Sequence, residues 1–552
     1  MDVIVPTECT NNKGLPHCLE HLVFMGSAQY PQRGFLDKLA NLCLAQGTNA
    51  WTDKDHTAYN AVTAGYMGLL KLIPVFLDHV MHPTLTEAQF ATEIYHVDGE
   101  GKQNGVVFCE MQGRETTEDD MLDYAMHRLV YPQTGYQYEC GGLTPEIATL
   151  NNALVREYHS SFYRPENAFL LVHGQVPLRD LAAAIDSWSC QRKLAAASAP
   201  SVNWKKPWSE VPPSMSSSSS KVIEFPAEDE SVGSVGLSWS GPHIGDSCTC
   251  IALEILFRYL QEGAASPIAQ KFVECADPWA SGVEFDVELR LRTCITLSFS
   301  GVPNADGAED DEEEGEGGDD DEEEDEEVGE DGESGSDDDD DGDSQGEGAP
   351  RDDLLNPGVI RNELLSLLQG VHSGKDTLTK EDMGDAVRRH RLKLLEECEE
   401  EPADALHNYL LPELLFREQI ESLGAGKFRS RLDQEAALHE LETKDSAFWK
   451  ALLEEWIIKA PCAEVVMIPS KKLAKERSDA EAASTAARRK EMGEAGLKAA
   501  KEALDMASEE SAPKPLPDTF PSPPLPPSST IARLPMTAQL TKMPRTGTPV
   551  QV

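Results

Sequence analysis

Residues 17–21 read His-Cys-Leu-Glu-His. On a helix, His17 and His21 stand one turn apart on one face, and Glu20, three positions from His17, joins them there. Two neutral imidazoles so placed can hold one zinc ion from the same side, with a carboxylate beside the metal to handle protons. A catalytic zinc takes three protein ligands and keeps a position open. The third should be a His, Asp, Glu or Cys on a separate element. Glu110 is the best candidate, on a helix of its own; the alternative is an ordinary exposed helix glutamate. Cys18 and Cys109 point away from the ligand faces, because successive helix residues are turned by about 100°, and both read as buried thiols.

The surrounding sequence supplies the elements that must carry these groups. Asn11-Asn12-Lys13-Gly14 forms a turn, Pro16 suits a first helical turn, and Leu19, Leu22 and Val23 bury the helix, which Gly26-Ser27 ends. A helix over Gly34–Leu44 and strands over Thr48–Thr52 and His56–Asn60 follow. Tyr66–His82 is an apolar helix interrupted at Pro74. Val106–Val130 reads as one long helix, Leu143–Tyr158 as another, and Ala168–His173 as a buried strand. A second β-then-α region has strands at Lys221–Phe225, Val235–Trp239 and Val283–Ser300, the last being one strand or two. Its helices lie at Cys250–Leu260, Leu364–Leu368 and Lys380–Glu401, and a helix and a strand close it between Ala451 and Pro469. His56 reads as a structural histidine.

The chain has 552 residues and a formal net charge of −49, which excludes a nucleic-acid-binding surface. Between Asp306 and Glu347 stand 27 acidic residues and no Lys or Arg. That run is a disordered, self-repelling insertion or, more sharply, a site for basic partners. Twelve cysteines without a CxxC pair suit a reducing compartment. The N-terminus lacks the pattern of a signal or transit peptide, and no apolar run approaches the roughly 20 residues of a membrane span. A cytoplasmic protein with no membrane partner is expected; the alternative is mitochondrial or plastid, should a targeting segment be missing.

His17-Cys18-Leu19-Glu20-His21, Thr48-Asn49-Ala50-Trp51-Thr52 and Val106-Val107-Phe108-Cys109-Glu110-Met111 occur in the order found in the pitrilysin/insulinase zinc peptidases, and the chain resembles that family. His-x-x-Glu-His is its inverzincin signature. The presequence-peptidase branch and its cytosolic relatives are most similar. Gly141-Gly142-Leu143, Tyr163–Asn167 and Leu170–Gly174 extend the resemblance through the first 180 residues.

The resemblance implies His17, His21 and Glu110 as zinc ligands and Glu20 as the general base that activates a zinc-bound water. It implies that Asn49, Ala50 and Trp51 pair with an extended, unfolded peptide by β-augmentation; the alternative for Trp51 is a core aromatic. The implied fold is α+β, with two pitrilysin-like domains, each a mainly antiparallel sheet flanked by helices, joined to a helical hairpin. The expected divisions are a catalytic domain over 1–195, a linker over 196–220, and a second domain over 221–470 with the acidic insertion at 305–348. A hairpin over 471–511, broken at Gly493 and Gly496, and a proline-rich extended tail over 512–552 complete the chain. Two departures stand out. Few residues precede the His17 helix, and the second half that closes over substrate in larger members is missing; the expectations are a fragment, an incomplete gene model, or a subunit that needs a second-half chain as partner. The functional expectation is a zinc-dependent endopeptidase of unfolded peptides. The alternatives are a weak or inactive scaffold of the same fold and an acidic interaction protein.

Overall fold

A computed structural model describes residues 1–191, 204–305, 354–422 and 432–513, together with Gly424 and Phe428. It is a mixed α+β structure built on two sheets.

The first sheet is made by strands β1 (Asp2–Pro6), β2 (Ala45–Thr52), β3 (His56–Thr63) and, after the two-residue strands β4 (His96–Val97) and β5 (Gln103–Asn104), β6 (Phe169–Leu171). Its order is β2-β3-β1-β6, with every neighbour antiparallel. Val3, Ile4 and Val5 of the central β1 have no exposed surface, as expected of a strand covered on both faces. Edge strand β6 is only half-buried, less than its apolar sequence predicts, because among the described residues it has a neighbour on one side alone. The other edge is β2.

Helix α1 (Leu15–Val23) begins at Gly14, whose φ of +67° a side chain would strain. A Cβ there would also lie 2.2 Å from the Gly141 carbonyl oxygen, so the loop preceding Leu143 presses directly on the helix start. Cys18, Leu19, Leu22 and Val23 are fully buried in a core shared with Tyr59, Leu72, Phe76 and Phe108. Burial of each such large side chain stabilises by about 1.5–3 kcal/mol. The histidine-bearing face of α1 is left over the sheet edge.

Helix α2 (Phe35–Leu42) packs beside β2, and α3 (Tyr66–Met81) runs unbroken through Pro74. The proline removes one backbone donor, and burial of Ile73, Val75 and Phe76 around it outweighs that loss. After α4 (Glu87–Glu93), the single helix predicted over 106–130 is two, α5 (Val106–Arg114) and α6 (Glu118–Val130). The Thr117 side chain accepts the Asp120 N–H and starts a new helix. The helix predicted over 143–158 divides likewise into Thr144–Ile147 and Asn152–Phe162, with Asn151 as the cap.

The second sheet has strands β7 (Ser219–Pro226), β8 (Val232–His243), β9 (Gly282–Glu288), β10 (Arg292–Pro303) and β11 (Cys462–Ser470) in the order β7-β11-β8-β10-β9. Only β7 and β11 are parallel to each other. Its core gathers Trp239, Leu256, Phe257, Leu297 and Phe299. The acidic run, the proline-rich tail from 514 and residues 192–203, which include residues 196–203 of the expected linker, lie outside the described residues. Residues 204–218 carry no helix or strand, yet Trp208 is buried on Tyr136, with ring centroids 4.0 Å apart.

The two sheets meet through α6, whose Leu122 and Met126 pack on Phe225, Val465 and Met467. The helical stretch Lys471–Ser511 breaks at Gly493 (φ +61°, ψ 177°), while Gly496 remains helical. Its Arg488 bonds Gly101 and Gln103 at 2.8 Å each. No helix among the described residues is long and apolar enough to cross a membrane.

Candidate metal centre

Helix α1 presents His17 and His21 toward Glu110 of α5. His17 Nε2 lies 3.6 Å from one Glu110 oxygen and His21 Nε2 3.6 Å from the other. The imidazoles meet edge to face, 4.9 Å between centroids, and the three ligand atoms fall within 4.8 Å of one another. Atoms bound to one zinc at about 2.0–2.2 Å with tetrahedral angles stand roughly 3.3–3.6 Å apart. Each histidine nitrogen thus stands at about a donor–donor distance from one Glu110 oxygen, and both pairs are too long for direct hydrogen bonds. Burial lowers the pKa of both histidines, against the pull of Glu110. Neutral imidazole is the form that donates a lone pair to a metal.

Glu110 is exposed, because α5 buries Val107, Phe108 and Met111 instead. Its neighbour Cys109 is exposed too and bonds Asn104, which corrects the expectation of a buried thiol; Cys18 is buried.

Glu20 is one position from His21, its carboxylate capped by the Thr52 hydroxyl at 2.6 Å. Burial raises its pKa above the usual carboxylate range, and the Thr52 bond partly opposes this. Thr52 ends β2, so the strand carrying Asn49, Ala50 and Trp51 is fixed to the helix carrying Glu20. Among the described residues β2 pairs only with β3, and its outer edge is open. Asn49 is exposed and Ala50 half-buried. Trp51 is half-buried with its ring edge-on to His407, 5.2 Å away, on helix Pro402–Ser422.

A cavity of about 410 Å³ opens on His17, Glu20 and Glu110, bounded by Trp51, Thr52 and Glu139 and, from the second sheet, by Glu288 and Arg290. A second of about 410 Å³ contains Phe24, Thr48 and Asn49. The two meet at Glu20 and Ala50, so a groove follows β2 past the histidines.

The floor of the first cavity is a charged cluster that spacing in the sequence does not announce. Arg290 donates to Asp53 at 2.7 Å and to Glu288 at 3.1 Å. Lys54 reaches Asp123 at 3.3 Å, and the His127 ring nitrogens reach Asp123 and Glu288 at 3.0 and 3.1 Å. Asp123, His127 and Glu288 have the residue types of a metal trio, but Lys54 and Arg290 already neutralise the carboxylates and the imidazole is itself cationic. Burial and Lys54 lower the His127 pKa, and Glu288 and Asp123 outweigh them and lift it to about 9.

Because that folded-state pKa lies above the unfolded value, the contribution of His127 is complete below pH 6.5 and is lost as pH rises through 9. Thermal unfolding of His127→Gln should show a deficit of up to about 3 kcal/mol near pH 6 that closes by pH 10. A deficit independent of pH would contradict a protonated His127.

The chain matches the family described as Insulinase (Peptidase family M16) over residues 7–110, which holds His17, Glu20, His21 and Glu110. Residues 149–304 match the family's Peptidase M16 inactive domain. An uncharacterized protein of Caenorhabditis elegans is 30% identical over 505 residues, 91% of this chain and 45% of the relative. The mitochondrial presequence protease of Xenopus laevis is 28% identical over 272 residues, 48% of this chain and 26% of that protein. The chain thus spans less than half the length of these curated relatives. Among solved structures, a protease from Helicobacter pylori superposes with a TM-score of 0.60 at 16% identity, covering 85% of this chain and 93% of the other. With two family matches in sequence order and this fold, the chain belongs to the insulinase family of peptidases, peptidase family M16.

Proposed function

We propose that the chain is a zinc-dependent endopeptidase acting on unfolded peptides. The observation that carries this reading is the convergence of His17, His21 and Glu110 beside the Glu20 carboxylate, at the end of an open strand edge. Zinc held by those three residues would polarise a scissile carbonyl and acidify a water molecule.

The remaining work falls to the chain's own groups. Glu20 takes the proton of the attacking water and hands it to the departing amine, a role suited to a carboxylate whose pKa burial has raised. Thr52 fixes the carboxylate's orientation. The unpaired edge of β2 at Asn49, Ala50 and Trp51 binds peptide main chain, which confers affinity with little demand on side-chain sequence. An unfolded chain offers its main-chain groups to that edge without first breaking pairing of its own, which favours unfolded substrates.

The test is digestion of a panel of unstructured peptides, read by mass spectrometry, with chelator and with zinc added back. Cleavage lost to chelator and restored by one equivalent of zinc is the expected result. Zinc bound without cleavage would turn the reading to a non-catalytic scaffold of the same fold. No zinc bound would overturn the centre itself.

A further inference from the structure

We propose that Arg290 is a positioning residue of the site: from the β9–β10 turn of the second sheet it clamps Asp53 and so holds the Thr52 hydroxyl on Glu20. The inference rests on Glu20 acting as the base.

The chain of contacts is short and crosses the sheet interface. The Arg290 side chain is 13% exposed, and its Nη1 donates to Asp53 at 2.7 Å and lies 3.6 Å from Asp55. Its Nε donates to Glu288 at 3.1 Å, and its guanidinium sits 5.8 Å above the Tyr136 ring. The Tyr136 hydroxyl, in turn, donates to Asp55 at 3.0 Å and accepts the Leu291 N–H at 3.2 Å. The β9–β10 turn and the β2–β3 turn are therefore tied at several points.

Asp53 follows Thr52 directly, and its N–H bonds the His56 carbonyl to close the β2–β3 turn. Thr52 Oγ1 reaches Glu20 at 2.6 Å, a contact that survives only while the strand end stays in place. Without the guanidinium, Asp53, Asp55 and Glu288 crowd one another with their shared counter-charge removed, and the turn is pushed outward. A lysine could neutralise one carboxylate but not bridge them, because the planar fork is what spans the group.

The test compares Arg290→Gln, Arg290→Lys, Thr52→Val and the Gln/Val double variant, each checked for fold and zinc content. Amide hydrogen exchange should quicken over 52–56 in Arg290→Gln while α1 stays protected. Its kcat should fall about ten- to hundredfold with KM within about twofold, Arg290→Lys should be intermediate, and the double variant should be no slower than Thr52→Val alone. Unchanged exchange over 52–56 overturns the clamp, and multiplicative effects in the double variant overturn its action through Thr52. A raised KM with normal kcat also overturns it, since Arg290 would then be binding substrate carboxylate. If Arg290→Gln does not fold, Asp53→Asn, which keeps the shape, should show the same exchange and kcat pattern in weaker form. The exchange experiment needs no turnover, so a wild type that cleaves nothing would sink the peptidase reading while the clamp is still decided.

Discussion

Glu20→Gln is expected to keep its zinc and to slow peptide cleavage by about 10²–10⁴-fold. Glutamine matches the carboxylate in size, and its carbonyl oxygen can still accept from Thr52, whose hydroxyl reaches Glu20 Oε2 at 2.6 Å. The imidazoles and Glu110, the candidate ligands, are untouched. What disappears is the group able to receive a proton and return it to the leaving amine. Metal content measured beside cleavage separates the two roles. Zinc retained with cleavage lost assigns Glu20 to proton transfer. Cleavage within a few-fold of wild type would remove Glu20 from that role, and loss of zinc would make it part of the metal's support.

His21→Ala should abolish both zinc retention and cleavage, and its clearest signature is thermodynamic. A ligand that binds only the folded state raises stability by about 2.7 kcal/mol at 100 times its dissociation constant and about 4.1 at 1,000 times. Zinc titrated into the metal-free wild type should therefore raise the unfolding midpoint progressively, and His21→Ala should not respond over the same range. Glu110→Gln keeps both imidazoles, 4.9 Å apart, but replaces an anionic donor with a neutral one. It should respond only at zinc concentrations higher by a factor on the order of 10–100. A normal response from His21→Ala would place the metal elsewhere.

Two members of the candidate ligand trio, His17 and His21, are legible because they obey a local rule. His17, Glu20 and His21 are spaced by one helical turn, and Gly14, Pro16 and the buried apolar face around Leu19 and Leu22 require a helix at that place. Glu110 was harder to see: nothing in its own surroundings distinguishes it from a solvated glutamate, and it is in fact exposed. Two helix breaks leave their caps in the sequence at Thr117 and Asn151; apolar residues continue on both sides of Asn151 and mask that break, whereas the stretch 112–120 around Thr117 carries no apolar side chain and marks the other. Pro74 misled in the opposite direction, since packing on all sides of α3 holds a helix that local propensity would interrupt. The bond that Thr52 makes to Glu20, although Thr52 stands in a motif block, and the part played by Arg290 have no signal in the sequence. Arg290 and Asp53 are 237 positions apart, and no periodicity reports an ion pair made between two sheets.

The placement of β11 has a consequence for the order in which the molecule can be built. Among the described residues strand β7 has β11 as its only neighbour in the sheet, and the end of that pairing joins Cys462 to Ser218 across 244 positions. On the ribosome β7 thus emerges long before β11 can pair with it, and β8 waits with the edge that β11 will take left bare. Closing so long a loop adds little to the equilibrium free energy, because each doubling of length costs only about 0.6 kcal/mol. The burden falls on kinetics: a contact of such high sequence separation forms late and slowly. During that interval two unpaired strand edges are available to other nascent chains. A polypeptide halted before Cys462 would keep them permanently, so truncation upstream of that residue converts the second sheet from a folding unit into an aggregation template.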